Sequence, residues 1–99
     1  MQILGREVFN KALQDYANAK EAFKSWYSEV EAAKWKGPHE VKARFPSLSP
    51  LGNKKYYFNI KGNTYRIDVI IHYEKQLVII KWIGTHAGYD KRNKRMRGK

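Results

Sequence analysis

The residues with most chemistry to offer lie in Gly84-Thr85-His86-Ala87-Gly88-Tyr89-Asp90, between an apolar run, Leu77 to Ile83, and a terminus holding Lys91, Arg92, Lys94, Arg95, Arg97 and Lys99. A histidine titrates near neutrality and can give or take a proton. A tyrosine can stack on a base, or act as an acid where cations lower its pKa. Beside so much positive charge, His86, Tyr89 and Asp90 suit chemistry on a phosphodiester. Cleaving RNA without a metal needs a base for the ribose 2′-hydroxyl, cations for the charge building on the phosphorane, and an acid for the leaving 5′-oxygen. The chain has no carboxylate cluster suited to magnesium, and its three histidines are widely spaced. The inventory therefore favours a route through Lys, Arg, Tyr and His, with no metal and no cofactor.

Charge points the same way. Twenty Lys+Arg against nine Asp+Glu give a formal charge of +11 and a sequence pI near 10. Such an excess costs self-repulsion, so a polyanionic partner is the natural inference, with a basic globular protein lacking any nucleic-acid role as the bland alternative. Ninety-nine residues make one ordinary domain, here expected over 1–90 with 91–99 as a basic tail, and 42% hydrophobic content supports one modest core. There are no cysteines, so disulfides and cysteine-held zinc are excluded. The opening Met1 to Glu7 lacks the apolar core of a signal peptide, and runs such as Val69 to Ile71 are far too short to cross a bilayer. A cytoplasmic protein with no membrane partner is expected.

The elements that must position these residues follow from periodicity. Val8, Phe9, Ala12, Leu13 and Tyr16 share one side at helical spacing, and Ala19, Ala22, Phe23, Trp26, Val30 and Ala33 continue an apolar stripe until Gly37-Pro38. Tyr27 and Trp35 lie nearer the edge of that stripe, open to a partner. A short helical turn is expected through Glu40 to Arg44, and Ser47 to Asn53, with Pro50 and Gly52, reads as loop.

From Lys54 the period becomes two. Tyr56, Phe58 and Ile60 form one strand, Gly62-Asn63 a two-residue turn, Tyr65 to Tyr73 a second strand, Glu74-Lys75 another turn, and Leu77 to Thr85 a third strand. The expected fold is α+β, two N-terminal helices packed on an antiparallel meander. Two-residue turns would set Phe58 opposite Ile67, and Asp68 opposite Lys81. One face would then carry Tyr56, Phe58, Ile60, Tyr65, Ile67, Val69, Ile71, Val78, Ile80 and Trp82 toward the helices. The other gathers Lys55, Tyr57, Asn59, Lys61, Thr64, Arg66, Asp68 and Lys81 toward one end, and Ile70, Leu77 and Ile79 at the other.

On that polar face Arg66 is the first choice for phosphate, since a guanidinium matches phosphate oxygens in bidentate fashion. The competing role is a structural partner for Asp68. Lys81 divides between catalytic cation and cross-strand partner of the same aspartate. Lys54, Lys55 and Tyr57 are candidates for gripping RNA, as are Lys91 and Arg92 in the tail, whose plain reading is a solvated or solubilising segment. His86 has a serious structural reading, because continued alternation would turn it to the side of Trp82. Tyr89, beyond Gly88, is better placed to reach a cleft. Asp90 either orients His86 or caps the turn.

The segment Gly84 to Asp90, together with Phe45-Pro46-Ser47-Leu48 and Tyr57-Phe58-Asn59-Ile60-Lys61-Gly62-Asn63-Thr64-Tyr65-Arg66, closely resembles the HigB branch of the RelE-like toxins over roughly Val41 to Asp90. Arg66 matches an arginine found after the Gly-Asn turn in such sequences. The resemblance implies a RelE-type fold, a ribosome-dependent endoribonuclease that cuts mRNA in the decoding site, and a HigA-like antitoxin with a helix-turn-helix domain. It implies Arg66, Tyr89, His86 and Lys81 as catalytic candidates without assigning acid and base. The rival class is a non-catalytic RNA-binding module in which Tyr57, Arg66 and Tyr89 stack and grip without cutting. A DNA-binding regulator is disfavoured, since no helix is rich in basic side chains.

Overall fold

The computed structural model describes residues 1–62 and 64–85. In chain order they form β1 (Gln2–Leu4), α1 (Arg6–Asp15), a 3-10 turn at Ala17–Ala19, α2 (Lys20–Ala32), α3 (Pro38–Arg44), β2 (Ser49–Gly52), β3 (Lys55–Ile60), β4 (Tyr65–His72) and β5 (Leu77–Thr85). The strands make one five-stranded sheet in the order β1-β5-β4-β3-β2. All neighbouring pairs are antiparallel except β1 with β5, which is parallel.

The expected meander is β3-β4-β5, but the α+β architecture is larger than two helices on an antiparallel sheet. A third helix and two edge strands complete it. Pro38 at the first position of α3 matches the helical φ of proline and loses no needed N–H. Ser49–Gly52, expected as loop, pairs with β3 at the sheet edge, where Pro50 can sit because its missing N–H removes no interior bond. β1 is three residues long, too short to show a period. Its partner is set by Gly5, whose φ of +92° turns the chain into α1 hard against β5.

One face of the sheet and the helices share a single core. Phe9 from α1, Phe23, Trp26 and Val30 from α2, and Val41 from α3 join Phe58, Ile67, Val69, Ile71, Val78 and Ile80. Each such large side chain removed from water contributes about 1.5–3 kcal/mol. Aromatic edges knit the layers, with Trp26 on Phe58 at 5.4 Å and Phe45 on Phe58 at 5.1 Å. Trp35 is 7% exposed, not open to a partner, and α2 ends at Ala32 rather than running on to Gly37. The extended backbone at Ala33 lets the Trp35 ring turn inward, 6.0 Å from Phe45. Tyr27 also packs inward, 4.6 Å from Phe9 and beneath the Arg6 guanidinium at 4.8 Å. Among the described residues no helix is long and apolar enough to cross a membrane.

Both turns of the meander keep two-residue spacing. Ile60 pairs with Tyr65 and Phe58 with Ile67, as the turn after Ile60 requires. The second turn closes with the Gln76 amide donating to the Tyr73 carbonyl at 3.2 Å, and the Gln76 side-chain amide ties this turn to the Trp35 carbonyl at 2.6 Å. From there the expected register holds through Val69 with Ile80. It then slips: a bulge at Lys81 sets Asp68 opposite Trp82, Ile67 opposite Ile83, and Arg66 opposite Gly84. Asp68 is therefore not the cross-strand partner of Lys81. Ile83, not Trp82, packs against the core at this level.

Candidate functional site

The bulge decides what the outer face of the sheet presents. Across β3, β4 and β5, one row reads Tyr57, Asp68, Trp82 and the next reads Asn59, Arg66, Gly84. Alternation along each strand puts all six on the face turned away from the helices. Arg66 leans diagonally between the rows, its Cζ 3.9 Å from the centre of the Tyr57 ring. That contact occupies one face of the tyrosine, a cation–π arrangement that restricts where the guanidinium N–H groups can point. Asp68 is only 9% exposed at the centre of the patch. Asn59 donates from its side-chain amide to the Ser47 carbonyl at 3.3 Å, fastening the patch to the segment before β2.

Of the residues singled out from sequence, Arg66 and Tyr57 come together here. Lys55 extends the same face, two residues along β3 and opposite Ile70. Lys81 is exposed at the bulge and lines a cleft of about 290 Å³ with Val8, Lys11, Asp15 and Tyr16 of the α1 region. Lys54 belongs to a different place. It shares a cleft of about 310 Å³ with Lys36, His72, Tyr73, Glu74 and Lys75. His72 and Arg66 stand at opposite ends of β4, roughly 20 Å apart at about 3.3 Å per strand residue. His86, Tyr89, Asp90, Lys91 and Arg92 lie outside the described residues. The core reading of His86 rested on Trp82 facing inward, and that premise does not hold.

Trp82 joins this face, where the sequence expectation had it toward the helices. Its signal was the interruption of the apolar run by Lys81, with Ile80 and Ile83 three positions apart instead of two. Among the described residues no three His, Asp or Glu side chains are grouped as metal ligands would be.

A small, strongly basic α+β domain that sets an arginine and two aromatic residues on the outer face of its sheet belongs to the class of proteins built to handle a polyanion. Comparison with known proteins narrows the class. The family model of the HigB toxin, the RelE-like toxic component of a toxin–antitoxin system, matches residues 19–92, and the chain belongs to this family. It is similar to the mRNA interferase toxin HigB of Escherichia coli strain K12, 28% identical over 92 residues, covering 91% of this chain and 88% of that protein. The mRNA interferase HigB of Escherichia coli O157:H7 and that of Shigella flexneri match with the same identity and coverage.

Proposed function

We propose that this toxin is an endoribonuclease that cleaves mRNA on the ribosome by attack of the ribose 2′-hydroxyl on the neighbouring phosphodiester, without a metal. The observation that carries the reading is Arg66 held over the Tyr57 ring on the outer sheet face, in a chain similar to proteins named mRNA interferases. A guanidinium fixed before the substrate arrives can meet the charge that develops on the phosphorane without reorganising. Tyr89 and His86 are the proton-handling candidates, and Lys81 is an accessory cation at the bulge. Lys54, Lys55, Lys91 and Arg92 hold RNA backbone. Family membership supports an antitoxin partner; a HigA-like protein with a helix-turn-helix domain, and action in the cytoplasm, are parts of the same proposal. Residues 1–90 form the working domain, with 91–99 a basic arm.

The test is to map RNA ends on ribosome-bound mRNA after incubation with the toxin. A 2′,3′-cyclic phosphate at new 3′ ends is expected, insensitive to EDTA at a magnesium level that preserves the ribosome. Tight association with no new ends would favour the non-catalytic RNA-binding module instead.

A further inference from the structure

The bulge at Lys81 moves one indole to the outer face, and a glycine makes room for it. A Cβ built on Gly84 would lie 2.6 Å from Cη2 of Trp82 and closer still to Cζ2. The six-membered ring of Trp82 therefore rests on the backbone of Gly84, where any other residue would lift it away. Gly84 is not among the residues with positive φ, so its backbone would accept a side chain. Its lack of one serves the ring. Gly84 is in turn the cross-strand partner of Arg66. The indole thus sits half-buried over the cross-strand partner of the arginine, while Trp26 and Trp35 are locked in the core at 2% and 7% exposure.

We propose that Trp82 lying on Gly84 is a stacking subsite for a nucleobase of single-stranded RNA, the base adjoining the phosphate held by Arg66. Tyr57 cannot take this role on the ring face covered by the Arg66 guanidinium, so the two aromatic residues of the grid divide the work. Tyr57 orients the cation, and Trp82 receives a base. Every base has a π-face, so such a shelf places the strand without reading its sequence. The bulge is what makes this possible. Without it Trp82 would alternate into the core position that Ile83 fills, and Tyr57 would be the one aromatic ring in the two rows around Arg66.

The subsite rests on the reading of this protein as RNA-directed, and its test separates the two. Purified full-length toxin is titrated at low salt with a mixed-base RNA nonamer and with an abasic nonamer bearing the same phosphates, while tryptophan emission is followed. Quenching by the nonamer, weak or absent with the abasic strand and lost in Trp82→Phe, is expected. Trp82→Leu should weaken nonamer binding about tenfold with an unchanged salt slope, and Trp82→Tyr should restore most of it. Gly84→Ala should lose the quench as Trp82→Phe does, because its Cβ displaces the ring. Equal quenching by both strands, or a well-folded Trp82→Leu or Gly84→Ala protein that binds the nonamer like wild type, overturns the subsite. If Trp82→Leu does not fold, the comparison of the two strands on wild-type protein still decides. mRNA cleavage by wild type without base-dependent quenching would sink the subsite and leave the proposed activity standing. The reverse result would sink the activity and leave the subsite.

Discussion

Arg66 and Tyr57 meet diagonally across β4 and β3, the guanidinium carbon 3.9 Å from the ring centre. The contact joins two residues that sequence could only place on the same face. It makes the tyrosine part of the arginine's support and gives each a separable phenotype. Arg66→Ala should fold normally and lose about 10²–10³-fold in cleavage, the effect of removing one preorganised donor from a developing oxyanion. Tyr57→Phe keeps the ring and should stay near wild type, whereas Tyr57→Leu should lose a few-fold, in line with about 0.5–1 kcal/mol for an exposed cation–π contact. Single-turnover cleavage with melting temperatures checks all three. Wild-type cleavage by folded Arg66→Ala would remove this residue from the mechanism.

Lys54 and Lys55 should bind rather than catalyse. Lys54 lies in the cleft with Lys36, His72 and Lys75, at the far end of the sheet from Arg66. Neutralising Lys54 and Lys55 together to Gln should weaken RNA association and lower its salt slope by about one to two, leaving the rate at saturation unchanged. A collapse of that rate with binding and slope intact would show that one of these lysines reaches the reacting phosphate.

His86 and Tyr89 need a direct comparison by substitution. Tyr89→Phe, Tyr89→Ala and His86→Gln should be assayed for melting temperature and single-turnover cleavage. We expect Tyr89 to matter more. If it acts by stacking, Phe retains activity and Ala loses it; if the phenol is the acid, both lose it. A His86→Gln protein that melts like wild type but cannot cut would reverse the order and make His86 the proton carrier.

The meander was legible because period-two alternation and the tight turns act locally, which is why Phe58 opposite Ile67 could be stated from spacing alone. What failed was non-local or exceptional. β1 pairs with a strand more than seventy residues away, and nothing within three residues announces that. The slip at Lys81 exchanges Trp82 for Ile83 in the core, and a one-residue register change inverts every face beyond it. Arg66 and Tyr57 were found because they precede the slip in sequence and sit on regular strands. Trp82 was assigned to the wrong face because it follows it.

Gly5 gives a stability test of the β1-to-α1 junction. A Cβ there would lie 2.5 Å from the Ile80 carbonyl oxygen, at a φ of +92° that side chains rarely adopt. Gly5→Ala should destabilise by at least about 1–3 kcal/mol, seen as a lower chemical-denaturation midpoint. An unchanged midpoint would mean that the backbone at β5 yields without cost.

Alkaline pH should expose Tyr73. Burial, then the neighbouring Tyr56 hydroxyl, pushes its phenol well above the ordinary tyrosine range. A pKa raised on folding means that the native state holds the proton more tightly than the unfolded chain. The associated stability is present below the unfolded value of about 10 and is lost as pH climbs beyond it. Tyr73→Phe should therefore lose stability less steeply than wild type above that point, and parallel denaturation curves for the two proteins would contradict the assignment.

The order of the strands has a consequence for how the chain is made. β5 is the last described strand in sequence, yet it lies between β1 and β4. A nascent chain therefore cannot seat β1 until β5 has emerged, and contacts spanning so much sequence form slowly. During synthesis α1 must wait for β5, the strand it packs against, a state open to chaperones and proteases. The Arg66–Gly84 register is completed in the same late step, so an unfinished chain has no assembled site with which to attack the message that encodes it.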